Sequence, residues 1–574
     1  MVEKFLSPSP KKCADKAFFP EETIAWVKER FKSAGADIFQ ELKRIDKGRL
    51  GIPVYLSLYG ARGLAVTGNV KQMGKGATEA LAQASALMEL VERYSLFQFV
   101  KDQKNFFLSS LENFRENSLT VEELLSSVED PTEDREALEV FRATLPRAPF
   151  YLVSAFRVRE QREIILPFYW FWLLYEYNGS AAGNTYPEAA VQGACELIER
   201  HVSALASRQK TPFREVVLEK LSSEAENLLS CFKRLGIKLF LRDFTFDMPV
   251  PTIGALAYDP QTFPHRSEIV YTAGTATGPE RALVRALTEV AQLAGDFDTE
   301  GKYLESGLPK YATLEEASHI LEKDGEISLW SLPDLSTSDH AEELKKLAEK
   351  LAEKGYSLYL VDVTSPELRV PVVYNIIPGA HFRERIKISP LYQLVRTVAL
   401  YSPPEPASSF LAALKEEISR YYVESALGQA LSRQGKWSEA AGFFEKALTL
   451  SPAPEDLPAL YCHLAHACLQ AGDLKAAQEA AEKGLSLYLL PELYNLLGTI
   501  FFKQGQVEKA LEAYFQALAL DPQRAMDYAN VGACLLALGL PQEAENYFSS
   551  AKMLDPTLDL KRFRKVRMQE SSHV

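Results

Sequence analysis

Four glycines, Gly435, Gly472, Gly505 and Gly539, recur at intervals of 37, 33 and 34 residues in the last third of this chain. A period of that length holds two helices and a turn, which restricts the fold more than composition does. The first copy carries Leu427, Gly428, Ala440, Phe444, Ala447 and Pro452, and the third carries Leu497, Gly498, Ala510, Tyr514, Ala517 and Pro522. The fourth repeats the scheme with Val531, Gly532, Ala544, Phe548, Ala551 and Pro556. The second keeps the register with Ala465 and Gly484 as exchanges. Small residues let the two helices of a hairpin approach closely, and the aromatic is expected to fill the gap to the next hairpin.

This layout resembles the tetratricopeptide repeat. The resemblance implies a helical solenoid over residues 421–556, with the basic segment from Leu560 as a capping helix inside 557–574. Its concave face is expected to hold a protein partner or a second copy of the chain, as in a homodimer. The stretch "YSPPEPASS" at 401–409 reads as a boundary, so 401–420 is a linker and first helix. Residues 1–400 differ: strand-like runs such as "IKLFLRDF", "YSLYLVDV" and "VPVVYNIIPG" alternate with amphipathic helices, which predicts a mixed α/β domain.

The charge balance excludes a whole-surface nucleic-acid binder, because the net charge is −13 and the pI is near 5.4. Six scattered cysteines without CxxC spacing indicate neither a disulfide framework nor a zinc knuckle. The N-terminus has no apolar signal core, and the longest apolar run, residues 164–175, is too short to span a bilayer. A cytoplasmic protein without membrane contact is expected.

Three segments of the first domain share one address. "GKGATEALAQASALMELVER" at 74–93 and "GNTYPEAAVQGACELIER" at 183–200 both run from glycine and threonine into an Ala-rich helix ending in ExxER. "GTATGPERALVRALTEVAQ" at 274–292 repeats the theme. The trios are Ser85, Glu89 and Glu92 with Arg93; Gln192, Glu196 and Glu199 with Arg200; and Arg285, Glu289 and Gln292. Spacings of three and four put each trio on one helix face. Glutamates on facing helices repel unless a cation lies between them, which points to Mg2+, and Mg2+ commonly shares its shell with nucleotide phosphates. The glycine loops leave backbone N–H groups for an anion, while "TYPE" and "TGPE" also read as capping boxes. No phosphate loop of the usual spacing is present: "GNVKQMGKG" has one residue too many, and Gly76 stands where Ser or Thr belongs.

Together these segments resemble the ATP-binding motifs of the YcaO family. The first motif, SxxxExxER, is Ser85, Glu89, Glu92 and Arg93; the second is Asn184, Glu188, Gln192, Glu196, Glu199 and Arg200; the third is Arg285 and Glu289. Lys16 and Thr23 match the family's N-terminal nucleotide contacts, with Thr in place of Ser. The resemblance implies ATP and Mg2+ as cofactors, Glu89, Glu92, Glu196 and Glu199 on the metal, and Arg93, Arg200 and Arg285 as catalytic residues facing phosphates. It implies activation of a peptide backbone amide: a nucleophile adds to the carbonyl, the amide oxygen is phosphorylated, and phosphate departs. A side-chain nucleophile yields an azoline, and a sulfur donor, which a partner protein could supply, yields a thioamide. The chain lacks the Pro-rich terminus and the fused leader-binding domain of the azoline branch. Its helical-repeat tail resembles members that act as accessory factors in β-methylthiolation of a ribosomal protein. A non-catalytic adaptor that recruits partners through its repeats is the alternative.

Other candidates read as packing. "CHLAHAC" at 462–468 is expected in the repeat core rather than on a metal, "FYWFWLLYEY" at 168–177 as a buried strand or helix, and Cys195 as a small packing residue. His381, where a strand meets a turn, reads equally as a residue approaching a substrate, as a helix cap or as a buried packing residue.

Overall fold

The computed structural model describes residues 1–564 apart from 36, 47, 129–133, 295–296, 298–307, 382–388 and 556. The chain divides into two compact units, Met1–Glu133 with Phe150–Pro390 and Asp134–Pro149 with Leu391–Val574. This differs from the expected boundary. Residues 391–400 belong to the helical unit, and the stretch expected as linker and first helix contains the helix Pro404–Glu417. Proline is tolerated in a first turn, where its missing N–H would have no partner anyway. The second unit also takes in a helix from early in the chain, Arg135–Thr144, whose Ala137 and Phe141 are buried. Arg420 binds Asp134 at 2.7 Å and Glu136 at 2.9 Å beside it.

The first unit is mixed α/β, with sheets of three, six and five strands. A terminal strand of each sheet feeds a long helix: β1 (Lys71–Lys75) leads to α1 (Glu79–Lys101), β2 (Ser180–Ala182) to α2 (Tyr186–Arg208), and β3 (Val270–Thr275) to α3 (Pro279–Ala294). Thr78 and Thr185 cap the first two helices, accepting from Leu81 N and Glu188 N at 3.3 Å.

Close backbone packing gives the helices a common roll. A Cβ on Gly74 would lie 2.0 Å from Ala86 N and 2.7 Å from Ala82 O; on Gly274 it would lie 2.2 Å from Ala286 N and 2.6 Å from Ala282 O. Each helix thus lies against its own strand at the eighth and twelfth residues after that glycine. Consequently Ser85, Gln192 and Arg285 take one orientation, and Glu89, Glu196 and Glu289 another, one turn on.

The second unit is all-helical. Its paired helices run from Tyr421–Arg433 and Trp437–Thr449 to Ala525–Ala537 and Pro541–Leu554. The turn glycines Gly435, Gly472, Gly505 and Gly539 have φ of 76, 88, 78 and 78°, a region that a side chain disfavours. The aromatics pack closer to home than expected: a Cβ on Gly428, Gly498 or Gly532 would lie 2.6 to 2.8 Å from the ring of Phe444, Tyr514 or Phe548. Each aromatic therefore fills the gap inside its own hairpin. Phe444 also stacks on His463 of the following hairpin, with ring centroids 5.4 Å apart. The capping segment is helical over Lys561–Arg564 with Phe563 buried; residues 565–574 and Pro556 lie outside the described residues.

Candidate active site

All fourteen site residues expected from the sequence line one cavity of 690 Å³ in the first unit. That volume suits a nucleotide-sized ligand. Contacts around it close a cycle through the three strand–helix pairs. Arg93 on α1 donates to Tyr177 O at 3.2 Å and to Ser180 Oγ, at the start of β2, at 3.4 Å. Glu199 on α2 accepts from Thr275 N on β3 at 2.9 Å. Glu289 on α3 pairs with Lys75 at the end of β1.

The carboxylates are crowded. Glu92 accepts from Ser180 Oγ at 2.5 Å and lies 3.0 Å from Arg93, which also donates to Glu89 at 2.8 Å. Glu196 accepts from Gly179 N at 3.2 Å, and Arg200 reaches Glu196 and Glu199 only at 3.6 and 3.9 Å. Burial and the charge of Glu89 push the Glu92 carboxyl well above its usual range. Burial likewise raises Glu196, against the pull of Arg200 and Arg93. Both shifts come first from burial, which disfavours the ionised form of carboxylates gathered out of water.

The second motif meets the N-terminal segment. Thr23 Oγ1 donates to Asn184 Oδ1 at 2.8 Å, Asn184 donates to Glu188 at 3.1 Å, and Lys16 lies 3.8 Å from Glu188. Glu188 also accepts from Ala17 N at 3.0 Å, so it turns into the site instead of closing the expected capping box on Thr185. Glu280 of the other expected box accepts from Ser222 N at 2.6 Å. Arg285 is held by Thr275 O at 2.9 Å, Asp15 at 3.3 Å and Gln192.

Among the cavity residues missed from sequence are Lys75, Asp15 and Tyr177. Lys75 occupies the address of Ala182 and Thr275, so superposing the three segments could have singled it out. Burial lowers its ammonium to about 8, against the opposing charges of Glu199 and Glu89. Burial would raise Asp15, but Lys16, Arg285 and Arg281 carry it well below the usual carboxylate range. The Tyr177 ring carries the Arg93 guanidinium 4.2 Å from its centroid. No sequence signal marked Asp15 or Tyr177.

The packing candidates are placed as follows. Phe168–Tyr175 is a helix whose Trp170 is buried and donates to Ser127 Oγ at 2.7 Å. Cys195 is buried, and burial pushes its thiol up to about 12. Cys468 is buried, His463 lies on Phe444, and His466 meets Trp437 edge-on. His381 does not join the cavity: its N–H donates to His201 Nδ1 at 3.0 Å, and its Nε2 lies 2.9 Å from Ser126 O.

Among the described residues no group of three or more His, Cys, Asp or Glu side chains is arranged so as to hold a metal ion by itself. The glutamates line the cavity wall as an all-oxygen set. That suits a hard cation sharing its shell with phosphate and water. Among the described residues no helix is long and apolar enough to cross a membrane.

Comparison with known proteins agrees. The family described as YcaO cyclodehydratase, ATP- and Mg2+-binding, matches residues 73–381, and tetratricopeptide repeats match 425–458, 458–489 and 491–524. An uncharacterised protein of Methanothermobacter thermautotrophicus is 30% identical over 387 residues, 63% of this chain and 93% of that one. Another, encoded in the tfuA 3′ region of Rhizobium leguminosarum bv. trifolii, is 26% identical over 386 residues, covering 64% and 88%. A heterocyclase solved with substrate and cofactor shares the fold at a TM-score of 0.54 and 23% identity; the match covers 68% of this chain and 56% of that one.

Proposed function

Because this chain belongs to the YcaO family, we propose that it activates a backbone amide of a peptide or protein substrate, leading to a thioamide or an azoline. Its cofactors are ATP and Mg2+, the ligands in the family's description. The observation that carries the reading is the convergence of two ExxE helix faces, a third with Glu289 and Gln292, and seven arginine or lysine residues on one cavity. When bound, ATP supplies the phosphoryl group that makes the amide oxygen a leaving group, and Mg2+ offsets its charge. Glu89, Glu92, Glu196 and Glu199 hold the metal; Ser85, Asn184, Glu188, Gln192 and Glu289 with Lys16 and Thr23 line the nucleotide. Arg93, Arg200 and Arg285 face phosphates. Arg200 is the freest of the three, being held loosely with its Nε unpartnered among the described residues. The repeats recruit a protein: the substrate, a sulfur-supplying partner, or a second copy in a homodimer. Participation in ribosomal-protein β-methylthiolation is one form of this activity.

Calorimetry with ATP, with and without Mg2+, and phosphate release with and without extract from cells lacking the protein test the reading. ATP binding that needs Mg2+, and hydrolysis that rises with extract, are expected. Mass analysis of the modified peptide separates loss of water, an azoline, from exchange of oxygen for sulfur, a thioamide. Mg2+-dependent ATP binding with no response to extract would favour the adaptor.

A further inference from the structure

The cations around the cavity differ in what they have left to give. A guanidinium has five N–H groups and an ammonium three. Arg93 is held by Tyr177 O, Ser180, Glu89 and Glu92 while stacked on the Tyr177 ring. Arg285 is held by Thr275 O, Asp15 and Gln192. Both are fixed in place by the protein. Lys75 has one side-chain partner among the described residues, Glu289, and is 26% exposed to the cavity. Two of its three N–H groups remain for a ligand.

Its address sharpens the point. The end of the strand is Lys75 in β1, Ala182 in β2 and Thr275 in β3, so only one of three equivalent positions carries a charge. That residue feels the charges of Glu199 on α2 and Glu89 on α1, each of which already has partners of its own. Its strand packs too tightly on α1 for the main chain to shift, because Gly74 abuts Ala86 N. Only the side chain can move. Glu289 on α3 restrains it, so the ammonium is aimed from two sides.

We propose that Lys75 is a catalytic residue that donates to the terminal phosphoryl oxygens of the bound nucleotide, with Glu289 as the positioning residue that aims it. The inference rests on the ATP-site reading above. Lys75 keeps its bond to Glu289 and uses its remaining donors on phosphate, where a charge-assisted hydrogen bond is worth most. It adds positive charge to a cavity where Arg93 and Arg285 are already engaged, and that charge would stabilise a phosphoryl group bound there.

The test is binding of ATP, ADP and AMP by calorimetry, with Mg2+, to the full chain and to Lys75→Gln, Lys75→Arg and Glu289→Gln, with thermal unfolding of each. Lys75→Gln is expected to weaken ATP about tenfold or more and leave AMP unchanged, with Lys75→Arg recovering part of the loss. Glu289→Gln is expected to weaken ATP less, and to add little to Lys75→Gln in the double variant. Equal losses for ATP and AMP, or ATP affinity unchanged in Lys75→Gln, would overturn the assignment. Failure of the unsubstituted chain to bind ATP at all would instead overturn the ATP-site reading. Lys75→Arg, which retains charge and length, keeps the comparison decisive if the glutamine variant unfolds early.

Discussion

Glu199 on α2 accepts the Thr275 backbone N–H of β3 at 2.9 Å, so a carboxylate of one strand–helix pair closes on the next. The same side chain is a proposed metal ligand, and two substitutions separate its roles. Glu199→Ala removes both and leaves a partly buried N–H unpaired, which costs about 1–3 kcal/mol. Glu199→Gln keeps an acceptor for Thr275. Scanning calorimetry should show a lower Tm for Ala and little change for Gln, while Mg2+-dependent ATP affinity falls in both.

Glu92→Gln should do the reverse of a usual core substitution. Burial and Glu89 disfavour the ionised Glu92, and a neutral amide still accepts from Ser180 Oγ. We expect the Tm of the ligand-free protein to hold or rise, with a change within about 2 kcal/mol. Mg2+-ATP binding should weaken about tenfold or more if the proposed role holds, because a proposed ligand oxygen has lost its charge.

Gly74→Ala and Gly274→Ala each drive a Cβ to within 2.2 Å of helix backbone. Backbone cannot swing aside as a side chain can, so each should cost about 3 kcal/mol or more, or abolish soluble expression. Gly442→Ala on the helical unit meets nothing within 4 Å and is the neutral control. Chemical denaturation of the three variants checks the order.

His201 makes stability pH-dependent. Burial and the His381 charge push it down to about 4, and its Nδ1 accepts an N–H, which only the uncharged ring can do. The unfolded chain titrates near 6.5 and therefore binds the extra proton first. Stability is full above about pH 6.5 and falls as pH drops toward 4, by about 1–3 kcal/mol over that window. Denaturant midpoints for His201→Gln should show a flatter slope between pH 4 and 6.5.

Removing the repeats needs two cuts. Deletion of Leu391–Val574 alone strips Asp134–Pro149, which carries the buried Ala137 and Phe141, of the rest of its unit. That variant should aggregate or bind a hydrophobic dye. A second variant that also replaces 134–149 with a flexible linker should stay soluble and bind Mg2+-ATP, as binding titrations and light scattering would show.

Much of this was legible in the sequence because it is periodic. The turn glycines and the ExxE faces recur, and recurrence survives without knowledge of tertiary contacts. What stayed hidden was single or non-local. Asp15 and Tyr177 reach the cavity through chain paths that no local pattern encodes. Glu188 matches a capping box locally, yet Ala17 N and Asn184 take its oxygens instead. The helix at 135–144 has an ordinary amphipathic pattern that says nothing of which unit will cover it. The prolines at 403, 404 and 406 resemble a break, and a helix begins there all the same.

The shared membership of Asp134–Pro149 also sets an order of events during synthesis. About 240 residues separate this segment from Leu391, where its unit resumes. At about 5–20 residues per second, that is a wait of roughly 10–50 s on the ribosome. Throughout it the segment carrying Phe141 has left the exit tunnel ahead of the rest of its unit, while the flanking chain is already able to form its sheets. The helix is a debt incurred early in translation and settled only when the first repeats arrive, which makes those seconds the interval in which a chaperone has most to do.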